Sequence, residues 1–216
     1  MFGLRFRDRI EAGQLLGREL AARFGVVDDA IVLALPRGGV PVGAEVAKAL
    51  GAPLDVFIVR KLGVPGHEEL AMGAIASGGV RVLNRDVIDY GRITPQQIDA
   101  VAAREERELS RREAEFRGNR APLDVRGRTV IIVDDGLATG STMRAAVQAL
   151  RAMEPKRVIV AVPVGAEQTC EEFREIVDEM VCLRTPEPFE AVGLWYEDFT
   201  QTTDAEVHAL LSRNPR

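Results

Sequence analysis

The sequence predicts an α/β fold: a mostly parallel, twisted sheet with helices on both faces, a small hood and a helical insertion. Three observations predict it. Residues 31–35, 130–133 and 158–162 are apolar runs without alternation, as strands buried on both faces require. Each run gives way to a turn of small residues and breakers, and each turn to apolar residues at helical spacing. Strands alternating with helices in this way make a parallel sheet covered on both sides.

The elements follow in order. Asp8 with Glu11 three residues on is a capping-box pattern, and Ala12, Leu16, Leu20 and Phe24 then recur at helical spacing. Asp28-Asp29 ends that helix before the 31–35 strand. Pro36-Arg37-Gly38-Gly39 forms the next turn, and Val42, Val46, Ala49 and Leu50 predict a helix closed by Gly51. Residues 54–59 make a second strand, which delivers Arg60-Lys61 at its end. Residues 63–69 hold too many breakers to be regular. Residues 70–76 and 80–83 form a hairpin, with Gly78-Gly79 supplying the positive-φ turn.

Thr94-Pro95-Gln96-Gln97 opens a helix with an N-cap threonine, proline at N1 and glutamine at N3, running to about residue 117. Its second half interleaves arginine and glutamate, with Glu108–Arg112 and Glu113–Arg117 spaced for i,i+4 pairs. A thin apolar stripe, Ile98, Val101, Ala102, Leu109 and Phe116, leaves three readings open: a cover over the active site, a homodimer contact, or a surface helix. A helix over about 143–153 ends at Pro155; after the 158–162 strand come a helix over about 166–177 and a strand over 180–183. The tail concentrates Phe189, Val192, Leu194, Trp195, Tyr196 and Phe199, and Thr203-Asp204-Ala205-Glu206 starts a last helix. The 216 residues suit one domain, with about 84–121 as insertion or cover and about 184–216 as hood or tail.

Composition narrows the function classes. A net charge of −5 leaves no electrostatic footprint for nucleic acid. No apolar run reaches the length of a membrane span, and residues 1–5 do not open a secretion signal, so the expected setting is cytoplasmic. Cys170 and Cys182 have no metal or redox spacing, and His67 and His208 stand far apart. His67 is either a general base or, as lone loop histidines usually are, structural.

The chemistry concentrates in residues 130–142. A buried strand ends at Asp134-Asp135, a small-residue turn follows, and a helix begins, so the turn's N–H groups face an anion at a helix N-terminus. Two carboxylates beside such a cradle suit a ligand that combines a phosphate with hydroxyls or a metal ion. A Walker loop is excluded, because Ser141 rather than lysine follows Gly140, and no dinucleotide glycine spacing is present. A magnesium-bound phospho-acceptor site explains the acidic pair but not Thr139-Gly140-Ser141-Thr142. The Arg37-Gly38-Gly39 turn lies at another strand end, where glycines let a backbone approach an anion and arginine can fork onto phosphate. Read alone, it is equally a tight turn with a solvated arginine.

Apolar strand, Asp134-Asp135, a short spacer and Thr139-Gly140-Ser141-Thr142 together resemble the ribose-5-phosphate signature of the type I phosphoribosyltransferases. The resemblance covers roughly residues 30–165 and looks like a bacterial branch whose acceptor is unassigned. It implies a transferase of magnesium 5-phosphoribosyl diphosphate that moves phosphoribose to or from a nitrogenous base, or else a regulator that senses the same ligand. By this resemblance Ala138, Thr139, Gly140, Ser141 and Thr142 cradle the 5′-phosphate. Arg37, Gly38, Gly39 and Lys61, rather than Arg60, hold the pyrophosphate. Asp134 and Asp135 take the ribose hydroxyls and magnesium, and with Lys61 form the catalytic set. Trp195 and Tyr196, in the position of the family's variable hood, are the candidates to stack on the base.

Overall fold

The computed structural model describes residues 5–118 and 120–214, so the secretion-signal reading of residues 1–5 falls mostly outside it. The chain runs α1 (Arg9–Phe24), β1 (Ala30–Ala34), α2 (Gly39–Leu50), β2 (Leu54–Val56), β3 (Val59–Val64), β4 (His67–Ala76) and β5 (Val80–Leu83). It continues through α3 (Arg85–Tyr90), α4 (Pro95–Arg117), β6 (Thr129–Val133), α5 (Ser141–Ala152), β7 (Arg157–Val164), α6 (Glu167–Arg174) and β8 (Glu179–Arg184). A short 3₁₀ turn, Val192–Trp195, precedes α7 (Asp204–Arg213).

The main sheet has the order β2-β1-β6-β7-β8, and every pairing in it is parallel. Alternate residues of its strands feed two cores. Val32, Ala34, Ile131, Val133, Ile159 and Ala161 face α1, α2, α4 and α7, while Ile31, Leu33, Val130, Ile132, Val158 and Val160 face α5 and α6. Burial on both faces is why these runs do not alternate. The fold class expected from the sequence is the one observed.

Two expected elements differ. The 54–59 strand is not one strand. Phe57 N–H still reaches Ala34 O at 3.0 Å, but Ile58 N–H turns to the Ser77 hydroxyl at 3.1 Å, and the chain enters a second, antiparallel sheet, β3-β4-β5. Arg60 and Lys61 therefore lie within β3, not at the end of a strand of the main sheet. Residues 63–69 are also more regular than their breakers suggest. Pro65 and Gly66, the latter at φ 78°, make the reversal between Val64 and His67, which pair directly across it. Gly63 marks a register shift in the ladder.

Helix ends follow the capping chemistry closely. Asp8 accepts from Glu11 N–H at 2.8 Å, but Glu11 reaches back to Arg7 N–H at 2.6 Å, one residue before the usual box. Thr94 with Gln97 and Thr203 with Glu206 form complete boxes. In α4, Glu108–Arg112 forms as expected at 2.8 Å. Arg117 instead leaves its own helix and forks onto Asp55 of the edge strand β2, both contacts at 3.2 Å. Arg120 adds a bond to Leu54 O at 2.8 Å. The arginines thus cover an edge that would otherwise offer open backbone groups, and α4 packs along β3 and β4 with its Ile98, Ala102, Leu109 and Phe116 stripe buried. The sequence pattern missed α3, and α6 stops at Arg174, three residues short of expectation. No described helix is long and apolar enough to cross a membrane.

The Asp55 side chain is fully buried and that of Arg117 is 9% exposed. Arg117→Ala removes the forked partner of a carboxylate held inside the fold, while Arg120 Nη1 stays 3.9 Å from it, and the expected cost is about 1.5–3 kcal/mol. Urea unfolding of that variant beside Glu113→Ala, which leaves the Arg117–Asp55 contact in place, measures it; equal midpoints would sink the assignment.

Candidate active site

The pairing of β1 with β6 ends at Ala34↔Val133, and Leu35 N–H extends it to Val133 O at 2.9 Å. The two parallel strands therefore release their chains side by side at one edge, where ligands of α/β sheets collect. From β1 comes the Arg37-Gly38-Gly39 turn, entered through a cis Pro36–Arg37 peptide. From β6 come Asp134 and Asp135. The two meet in close contact. A Cβ on Gly38 would stand 2.1 Å from Asp135 Oδ2, and one on Gly39 would stand 2.7 Å from Val133 O. No side chain fits at either position while the acidic pair occupies its place.

The turn after the acidic pair is fixed from behind. Leu137 N–H bonds Val164 O at 2.9 Å, Ala166 N–H bonds Leu137 O at 2.8 Å, and the Thr169 hydroxyl donates to Ala138 O at 2.7 Å. Gly140 takes the left-handed conformation, φ 70°, with the Phe173 ring 2.6 Å from where a Cβ would be. It is also the N-cap of α5 and offers that helix no side-chain cap, and no acidic residue occupies the first turn. The first-turn N–H groups and the positive end of the helix are thus directed at a site that an anion can fill. Ala138, Thr139, Ser141 and Thr142 are exposed around it, while Gly140 is buried.

Asp134 and Asp135 are partly buried side by side. Burial pushes the Asp134 carboxyl well above the usual carboxylate range, and the charge of Asp135 adds to this. The Asp135 N–H, 2.9 Å from Asp134 Oδ1, and Arg9 pull the other way. Burial also raises Asp135, against the opposing charge and hydrogen bond of Arg9, whose Nε lies 2.8 Å from Asp135 Oδ2. Tyr196 donates its hydroxyl to Asp135 O at 2.6 Å. Its own ionisation is driven up by burial first and by the Asp135 charge second.

The structure brings together the acidic pair, the Gly38-Gly39 turn and the Ala138, Thr139, Gly140, Ser141, Thr142 loop. It handles the other expected residues differently. Arg37 reaches Asp204 at the start of α7, Nη1 to Oδ1 3.3 Å, a half-exposed pair. Lys61 sits inside β3 opposite Ala74, beside Arg60, which pairs with Glu105 at 2.7 Å. Tyr196 is 3% exposed, its ring enclosed by Phe6 and Phe199. With its hydroxyl spent on Asp135, that ring has no free face for a base, which corrects the stacking role expected of it. Trp195 stacks on Phe189 at 6.5 Å, and its indole nitrogen is buried with no hydrogen-bond partner among the described residues. His67 is an exposed residue at the β3–β4 reversal. Arg9 is the site residue that the sequence pattern did not suggest. It sits beside a helix cap, where an arginine carries no signal of its own.

Comparison with known proteins points in one direction. Residues 10–197 match the family model described as "Phosphoribosyl transferase domain". A Mycobacterium tuberculosis (strain CDC 1551 / Oshkosh) protein named "Putative phosphoribosyl transferase MT0597" is 50% identical over 211 residues, which are 98% of this chain and 47% of that protein. The chain thus spans about half the length of that curated relative. A "Bifunctional protein PyrR" of Chloroflexus aurantiacus is 33% identical over 129 residues, 58% of this chain and 65% of that one. The crystal structure of TT1426 from Thermus thermophilus is 42% identical, with a TM-score of 0.88 over 98% of this chain and 100% of that chain.

The raised Asp134 has a consequence for stability. A carboxyl with a higher pKa in the folded than in the unfolded chain binds protons on folding, so its contribution is favourable at low pH and is lost as pH rises towards the folded value. Asp134→Asn escapes this loss while its amide oxygen can still accept from Asp135 N–H. The expected outcome is a higher thermal midpoint at neutral pH, where each 1 kcal/mol gained is roughly 2–4 °C for a chain of this length. The gain closes as pH falls towards about 4, the ordinary aspartate value. Scanning calorimetry across that range checks it; a variant less stable than wild type at pH 7 contradicts it.

Proposed function

The chain belongs to the phosphoribosyl transferase domain family, and we propose that it uses magnesium 5-phosphoribosyl diphosphate as donor, exchanging phosphoribose with a nitrogenous base against pyrophosphate. The observation that carries this reading is the contact of Gly38 with Asp135, which sets two anion-ready turns on either side of one acidic pair. A ligand with a phosphate at one end, a diphosphate at the other and hydroxyls between matches that order. Ala138, Thr139, Gly140, Ser141 and Thr142 take the 5′-phosphate, through first-turn N–H groups and three hydroxyls. Arg37, Gly38 and Gly39 take the diphosphate, for which Arg37 exchanges its weak half-exposed contact with Asp204. Lys61 is assigned to the diphosphate from the second sheet.

Displacing pyrophosphate at the anomeric carbon passes through an oxocarbenium-like state. The chain's work is to hold the leaving group, place the nucleophile and keep water out. Asp134 and Asp135 accept from the ribose hydroxyls and favour the positive charge that develops on the ring. Asp135 is also the candidate base towards the acceptor. The residues present fit magnesium. Both carboxylates are hard oxygen donors, and among the described residues no group of three or more His, Cys, Asp or Glu is placed to hold a metal. Asp134 and Asp135 would hold the ion, with the rest of its coordination left to the donor and water, as magnesium prefers. When bound it neutralises charge on the diphosphate. Trp195 is the remaining ring assigned to the base. Residues 1–216 act as one unit in this reading, with 84–121 as insertion and 184–216 as hood, in a cytoplasmic setting.

Pyrophosphate release from the donor, with magnesium and a panel of purine and pyrimidine bases, tests the function. Tight donor binding without turnover on any acceptor would show a sensor on the same fold instead of an enzyme. Asp134→Asn combined with Asp135→Asn is expected to abolish donor use while circular dichroism stays unchanged. Gly38→Ala forces the turn and the Asp135 carboxylate apart, and a displacement of about 1 Å costs on the order of 10²-fold in turnover efficiency. Wild-type donor use in either variant refutes the site.

A further inference from the structure

The two oxygens of Asp135 have different surroundings. Oδ2 accepts from Arg9 Nε at 2.8 Å and is also the oxygen that faces Gly38, 2.1 Å from a Cβ built there. Oδ1 lies 3.4 Å from the same point. Arg9 and the Gly38 backbone thus enclose one oxygen of the carboxylate more tightly than the other. Arg9 is itself held on three sides. Its Nη1 donates to Thr200 O at 2.8 Å, its guanidinium carbon lies 3.9 Å from the centre of the Phe199 ring, and its side chain is only 11% exposed. An arginine fixed by a carbonyl and a ring face has lost the rotamer freedom that makes most surface pairs weak.

The clamp is assembled by two segments far apart in sequence, residues 6–9 and 195–200. Phe6 N–H bonds Trp195 O and Glu197 N–H bonds Phe6 O, both at 2.8 Å, and Asp198 N–H bonds Arg7 O at 2.9 Å. This ribbon delivers Arg9 from one side, and Tyr196, Phe199 and Thr200 from the other, to a single aspartate. Arg9, Phe199 and Thr200 all lie just outside the 10–197 segment shared with the family model.

We infer that Arg9 is a positioning residue for the donor: by holding Asp135 Oδ2 it fixes the carboxylate so that Oδ1 meets the ribose hydroxyls, and so makes the joined 6–9 and 195–200 segments part of the donor site. The inference rests on the phosphoribosyl reading above. The ribose hydroxyls are bound in ground state and transition state alike, and Asp134 still faces the charge that develops on the ring, so loosening the Asp135 oxygen that takes those hydroxyls raises KM more than it lowers kcat.

The test compares Arg9→Met and Arg9→Lys with wild type in steady-state pyrophosphate release, varying donor and acceptor separately, beside donor titration by calorimetry. The expected result for Arg9→Met is a donor KM raised by roughly tenfold or more, with kcat within about threefold and acceptor KM unchanged. Arg9→Lys keeps the charge but cannot serve Asp135 and Thr200 as a planar fork, so it falls between the two. Should Arg9→Met fail to fold, the lysine variant decides alone. A donor KM raised several-fold supports the role, and a wild-type value overturns it. Equal losses towards donor and acceptor, without rescue by lysine, also overturn it, since they mark a structural part. A wild-type protein that binds no donor at all overturns the phosphoribosyl reading and this inference with it. Wild-type binding matched by Arg9→Met removes only the role of Arg9.

Discussion

The parallel pairing of β1 with β6 is the constraint on which the site depends. Its register brings Ala34 opposite Val133, so the two chains leave the sheet at the same level and must turn away from each other within a few residues. One turn needs glycine at 38 and 39 because the other begins with two carboxylates in that space. A one-residue slip would move Asp135 by about 3.3 Å and send alternate side chains of β6 to the wrong core. The two separate cores, each fed by every second residue, oppose that slip with the full apolar burial of both faces. Site geometry and core stability are thus the same requirement.

The acidic pair works against the fold that holds it. Two neighbouring carboxylates taken partly out of water cost free energy, and the surroundings only partly offset this. Asp134 has one N–H from its neighbour, and Asp135 has Arg9. A chain selected only for stability would not keep both charges here. Unfavourable charge of this kind collects at functional sites, which agrees with the proposed ligand and its hydroxyls.

What could be read in the sequence follows from how far each contact spans. The buried strands, the capped helices and the acidic pair followed by Thr139-Gly140-Ser141-Thr142 are local patterns, and local patterns survive in a string of letters. The switch of sheet at Phe57 and Ile58 is not local. An apolar run looks the same whether it continues in one sheet or enters another, so the pattern puts Arg60 and Lys61 at a strand end. Glu113 and Arg117 have ideal helical spacing, yet Arg117 goes to Asp55, because a fully buried carboxylate is a stronger partner than a half-buried glutamate. Arg9 meets Asp135 across 126 positions, and nothing in the chain near either residue signals the other.

The aromatic tail shows why residue type alone misleads at such a site. A tyrosine in a hood position suggests a platform for a base, but Tyr196 instead holds the backbone of Asp135, and Phe199 holds Arg9. Both rings serve the carboxylate. The Arg9–Asp135 contact is mostly out of water, its side chains 11% and 15% exposed, and in such surroundings a charge-assisted hydrogen bond counts for more than on open surface. The aromatic tail is therefore largely engaged in holding Asp135 and Arg9, on what the proposed function makes the donor side. That division places Trp195, with its ring stacked on Phe189 and its buried N–H unpartnered among the described residues, as the aromatic group in the tail with bonding capacity still to give.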